Sequence, residues 1–322
     1  MRKLGTIVVL FCLAAGVWSA TAQEMKEAVD LYNGAATTLK QNPKQAVENL
    51  NKSIEMCKAI GDDEANKLMG SAKKVLPDAY FFYAQELYKK QQINESFEAM
   101  EASKTAADEI NDAKRSARAV RTLSALYFQQ GRKMQLEGNY AEAATLCQKA
   151  LKHNDRVLDV WIVLAQCQDS LRQYDEMLQT LKDGMDAAQR AANLARKTDM
   201  QVIATNYLKA EAMKLEAAKN HEAAIEKLNK ALEFDTHDAT IYQPLAVAYG
   251  SLNNYDEVIK NADLALGCIA PGSDNTGLYF LKAKAQQAKG DKEGACESYK
   301  LAAIGAYKEA AEHEMKDVLK CK

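Results

Sequence analysis

One outline recurs along this chain, and it constrains the fold more than any other feature. In GNYAEAATLCQKAL a turn-forming pair precedes Tyr140, and Ala143 and Ala150 follow it three and ten residues later. The outline returns as NPKQAVENLNKSI at Pro43, INESFEAMEASKTA at Ile93, QYDEMLQTLKDGM at Gln173, NHEAAIEKLNKAL at Asn220, NYDEVIKNADLAL at Asn254 and GDKEGACESYKLAA at Gly290. Each copy has a polar turn, then small or apolar residues at +3, +7 and +10. That spacing marks one face of an α-helix. A second amphipathic stretch precedes each copy, for example SALYFQQGRKMQLEG before Tyr140. A single helical hairpin cannot bury its own apolar stripe, whereas stacked copies bury a continuous one.

The pattern resembles the tetratricopeptide repeat, a helix-turn-helix unit of about 34 residues. The resemblance rests on small residues that let the two helices approach, Gly131 with Ala143, Ala212 with Ala224, and Ala283 with Ala295. It rests also on Ala150, Ala231, Ala265 and Ala302, on large residues early in the first helix (Tyr80, Tyr127, Trp161, Tyr242, Tyr279), and on Tyr140, Tyr174 and Tyr255 before the second. Met177 and Val258 depart from it where a small residue is usual, and Asp30 makes the first unit the weakest. The resemblance implies an all-α, right-handed α-solenoid of about seven units, starting near residues 27, 77, 124, 158, 205, 239 and 276. Together they fill residues 23–322.

The spacings between these starts are 50, 47, 34, 47, 34 and 37. The excess in the long ones, shared between two antiparallel helices, is about two turns each, which keeps the apolar faces nearly in phase. KAIGDDEANKLMGSAKKVL, AADEINDAKRSARAVRTL and AAQRAANLARKTDMQVIA therefore read as lengthened hairpins. Their expected turns are Gly61-Asp62-Asp63, Asn111-Asp112 and Thr198-Asp199. Pro271 and Gly272 make CIAPGSDNTG a loop. A closing helix over about residues 307–321 is expected to cover the last apolar face.

Residues 1–22 read as a secretory signal peptide. Arg2 and Lys3 precede an apolar run from Leu4 to Trp18, and Ala20 and Ala22 form an A-x-A site. The run is short for a bilayer span, and no later stretch is apolar enough to cross a membrane. Export places the chain in the periplasm or associated with the cell envelope, with peripheral attachment to an envelope complex as a further option. Loss of Arg2 and Lys3 leaves 40 basic residues against 44 acidic ones, so nucleic-acid binding has no electrostatic footprint.

Export also permits disulfides. Cys296 falls near the start of a second helix and Cys321 at the end of the closing helix. Antiparallel packing brings them within about a turn, which makes them the disulfide candidate; the alternative is two free thiols. Cys147 and Cys167 fall at core-like positions and read as small buried apolar residues. No C-x-x-C spacing is present.

No catalytic residue, metal ligand set or cofactor motif emerges. The chain has no H-E-x-x-H, G-x-S-x-G, P-loop or G-x-G-x-x-G. Of the four histidines, His221 replaces a packing aromatic and His313 lies between acids on a solvated face.

The resemblance places the first helix of each unit on a concave inner wall. Leu31, Phe81, Phe128 and Ile162 succeed one another at one place on that wall, and Tyr88 joins them. Lys209 and Gln243 follow as polar residues. A large apolar row marks a partner-binding surface if it is exposed, and ordinary core if the lengthened helices cover it. A basic clamp for a terminal carboxylate is incomplete, because Met213 stands where Asn206 and Lys209 would need a polar companion. The expected function is a non-catalytic scaffold or adaptor that holds a protein or peptide segment in the groove. The alternative is a glycan-binding, small-ligand-binding or hydrolytic envelope protein that uses groove side chains.

Overall fold

The computed structural model describes the backbone of residues 5–270 and 272–321, and side chains from residue 22 onward apart from residues 271 and 322. The expected leader therefore falls largely outside the described side chains. Fifteen α-helices and no strand occur among the described residues. The chain divides into two compact units, residues 1–173 and 174–322.

The first unit holds α1 (Gly5–Thr38), α2 (Pro43–Ile60), α3 (Asp63–Lys89), α4 (Ile93–Glu109), α5 (Ala113–Leu136), α6 (Tyr140–His153) and α7 (Leu158–Ser170). Successive helices pack side by side, and α1, α3, α5 and α7 also touch in turn. The second unit holds α8 (Tyr174–Arg190), α9 (Leu194–Ala217), α10 (His221–Leu232), α11 (Ala239–Ser251), α12 (Tyr255–Cys268), α13 (Thr276–Ala288) and α14 (Lys292–Ala302). There α9, α11 and α13 touch in the same way. This is the helix order of an all-α repeat solenoid.

The turns show why the chain reverses where it does. At Gln92, Asn139, Gln173, Asn220, Asn254 and Asp291 the backbone N–H bonds back to the carbonyl five residues earlier, at 2.8–3.0 Å. The residue before each is left-handed: Gln91, Gly138, Arg172, Lys219, Asn253 and Gly290. This is a Schellman closure, and it satisfies carbonyls that the ending helix leaves open. Side chains then start the next helix. Asn220 Oδ1 accepts from Ala223 N–H, Asn254 Oδ1 from Glu257 N–H, and Asp291 Oδ1 from Gly294 N–H.

The lengthened hairpins at α2–α3 and α4–α5 turn where expected. Asp62 and Asp112 cap α3 and α5 by accepting from Ala65 and Arg115 N–H at 2.8 and 3.0 Å. The third differs from expectation. Its turn lies at residues 191–193, not at Thr198-Asp199, which fall inside α9. Ala192 takes the left-handed position, and Asn193 Oδ1 accepts from Arg196 N–H at 3.1 Å, so this cap starts the helix five residues early.

Small residues stand where the helices cross. Gly131 on α5 faces α6 so closely that an added Cβ would sit 3.2 Å from both Cys147 Sγ and Leu146 Cβ. Ala212, Ala224, Ala283 and Ala295 are all buried. Buried serines tie the backbones together: Ser53 Oγ donates to Ala28 O, Ser103 Oγ to Pro77 O and Ser124 Oγ to Ala150 O, at 2.7–2.9 Å.

The closing segment is not one helix. A 3-10 turn (Gly305–Tyr307) leads into α15 (Lys308–His313) and a π-helical turn (Glu314–Val318). Leu319 N–H reaches back to Glu314 O, and Lys320 is left-handed. This wide ending turns Cys321 onto Cys296, to which it is bonded with Cα atoms 5.8 Å apart. Tyr299 and Ala302 lie buried beneath the cap against its own Ala311, and Phe280 meets both Tyr299 and Tyr307 at ring distances of 5.5 and 5.1 Å.

Candidate functional site

A largely apolar hollow of about 900 Å³ in the second unit lies between α9 and α11. Helix α9 contributes Asn206, Lys209, Ala210 and Met213, and α11 contributes Thr240, Gln243, Pro244 and Val247. Within each helix these residues stand at i, i+3, i+4 and i+7, so one face of each is presented in matching register. Met213 is 68% and Val247 46% exposed, so the facing walls each present a large apolar side chain.

The polar groups are arranged for a different guest from the one a basic clamp would take. Lys209 Nζ donates to Asp238 Oδ2 at 2.9 Å and to Thr240 Oγ1 at 2.7 Å, which ties the ammonium to the wall. Burial alone would raise the Asp238 pKa, but hydrogen bonds from Thr240 and Lys209 outweigh it and hold the carboxyl below its ordinary range. Two acceptors are left over. Glu216 lines the hollow with one oxygen 2.8 Å from His221 Nδ1, and its other oxygen, Oε1, is buried with no hydrogen-bond partner. Pro244 has no N–H, so the carbonyl of Thr240, four residues earlier in α11, lacks a helical partner. A guest that fits such walls presents apolar side chains and N–H donors, not a carboxylate.

The row expected from sequence lies entirely in the first unit, and the structure does not lay it open. Phe81 on α3 is 8% exposed and belongs to the core. The Arg118 guanidinium lies over its ring, 4.1 Å from the centroid. Tyr88 and Phe128 are half-buried against the same core. Leu31 on α1 and Ile162 on α7 are also half-buried. The covering arginine comes from the added turns of α5, so lengthening the hairpin turned a wall position into core. Sequence reading passed over Met213, Val247 and Glu216. Met213 stood out only as the residue that spoils a clamp.

Cys57, Cys147 and Cys167 are buried free thiols, and burial pushes the Cys147 thiol up to about 12. Among the described residues no group of three or more His, Cys, Asp or Glu could hold a metal ion, and no helix is long and apolar enough to cross a membrane.

Residues 134–197, from the end of α5 to the start of α9, match the tetratricopeptide repeat family. That stretch, about a fifth of the chain, is similar to tetratricopeptide repeats. Stacked repeats of this kind build extended surfaces for binding other proteins. No curated protein matches the chain. Among solved structures, MamA shares 19% identity over 61% of this chain and 95% of its own, with a TM-score of 0.31. YrrB, described as a TPR protein with an unusual peptide-binding site, shares 14% over 59% of this chain and 91% of its own, at 0.32. The TPR2AB domain of yeast Sti1, solved as a pHSP90 complex, shares 17% over 94% of this chain and 97% of its own, at 0.31.

Proposed function

We propose that this protein is a non-catalytic scaffold of the bacterial cell envelope that holds a segment of a partner protein between α9 and α11. The observation that carries this reading is the pairing of exposed Met213 and Val247 with the unsatisfied Glu216 oxygen in one hollow. Apolar anchors supply affinity through burial, and an unpaired buried acceptor rewards a donor such as a peptide N–H. The envelope setting rests on the leader-like residues 1–22.

Panning a random peptide display on the purified protein tests the groove. Selected peptides are expected to share apolar side chains and to bind at least about tenfold more weakly to a folded Met213→Asp/Val247→Asp variant. Undiminished binding to that variant overturns the assignment. A Phe128→Ala variant separates the two walls: loss there alone returns the site to the first unit. Fractionation of cells making the tagged chain tests the envelope setting, and retention in the cytoplasm with residues 1–22 intact overturns it.

A further inference from the structure

We propose that the turn end of the α4–α5 hairpin binds carboxylates of an acidic polypeptide segment. This site lies in the first unit and stands independently of the α9–α11 hollow.

Two hollows of about 730 and 330 Å³ flank this end of α5, and Arg121 lines both. Their walls carry five cationic side chains, Lys114, Arg115, Arg118, Arg121 and Arg156, against three carboxylates. The chain as a whole has a net charge of −2, so this concentration of positive charge is local.

The three carboxylates are already matched. Asp78 accepts from Arg115 Nε at 2.9 Å and from Arg118 Nη2. Asp112 accepts from Arg115 Nη1 and caps α5. Asp108 pairs with Lys104 Nζ at 2.7 Å. Lys114, Arg121 and Arg156 meet no carboxylate among the described residues. The Nε of Arg118 is buried without an acceptor. Donors outnumber acceptors here, and the missing partner is an anion.

The spacing favours a chain of carboxylates over one compact anion. Arg115, Arg118 and Arg121 follow one face of α5, each about 4.5 Å further along the axis. Alternate side chains of an extended peptide stand about 7 Å apart, so successive acidic residues can reach separate guanidinium groups. A single phosphate uses one fork of the row, and Asp78, Asp108 and Asp112 repel its double charge more than they repel separated single charges.

Titration of the protein with a fluorescent hexaglutamate peptide tests this. Saturable binding that weakens as salt rises is expected. Arg121→Glu/Arg156→Glu, whose melting curve shows it folded, is expected to lose about tenfold or more in affinity. Arg121→Gln/Arg156→Gln is expected to lose less, and Met213→Asp/Val247→Asp to bind normally. No binding by the parent protein, or equal binding by the charge-reversed variant, overturns the proposal. So does inorganic phosphate that displaces the peptide at equal concentration, which would assign the hollows to a small anion.

Discussion

Two glycines of α5 and its turn illustrate how differently one side chain can cost. A Cβ at Gly138 meets nothing within 4 Å, but the residue sits at φ +80°. Gly138→Ala is therefore expected to destabilise by about 1–2 kcal/mol through backbone strain alone. Gly131 lies in an ordinary helix, and Gly131→Ala drives a methyl into Cys147, Leu146 and the Ala143 carbonyl. Overpacking of that kind costs about 1–3 kcal/mol. Urea unfolding should separate the two: at residue 138 a D-alanine restores stability, at residue 131 it does not. Asp78 makes a pH prediction. Burial raises its pKa, but hydrogen bonds from Arg115 and Arg118 more than reverse this, so the folded value lies below the unfolded one. Its contribution is thus complete above the unfolded pKa of about 3.9 and is lost as pH falls through the folded value. The stability gap between the parent protein and Asp78→Asn should be constant near neutral pH and shrink below about pH 4. A gap that grows on acidification would refute the pairing.

Among the described elements, the cap is the one with a covalent attachment. The Cys296–Cys321 bond spans 25 residues, and a loop of that size is worth about 3 kcal/mol in the chain-entropy model. Cys321→Ser should raise hydrogen exchange across residues 303–321 and over Tyr299, which is buried under the cap. Unchanged exchange would mean that packing alone holds it. The other four thiols among the described side chains divide by burial. Cys268 is half-buried, while Cys57, Cys147 and Cys167 are buried, and Cys147 is further protected because its thiolate is disfavoured up to about pH 12. Peptide mapping after brief alkylation should find Cys268 labelled in the native protein and the other three only after unfolding.

At the scale of the whole molecule, stability is a sum of local terms between neighbouring helices, as repeat architecture requires. Leu50→Ala removes a fully buried side chain of α2 at about 2–5 kcal/mol. Within the first unit, hydrogen-exchange protection should fall most in α1, α2 and α3 and least in α7; a uniform fall would contradict the local description. Some features follow from amino-acid order alone. The recurring small residues and Asn or Asp caps dictate helical pairs, because their chemistry acts within a few residues of itself. The meeting of Cys296 with Cys321 was also legible, since antiparallel packing sets it. The third long turn was not, because Ala192 carries no sign of a left-handed backbone and only Asn193 marks the cap. Exposure was beyond sequence as well. Phe81 and Met213 have the same standing in a helical pattern, yet Arg118 covers the first and nothing covers the second. Periodicity says which face a side chain occupies. Only packing between helices far apart in the chain decides whether that face meets water, and so where a partner can bind.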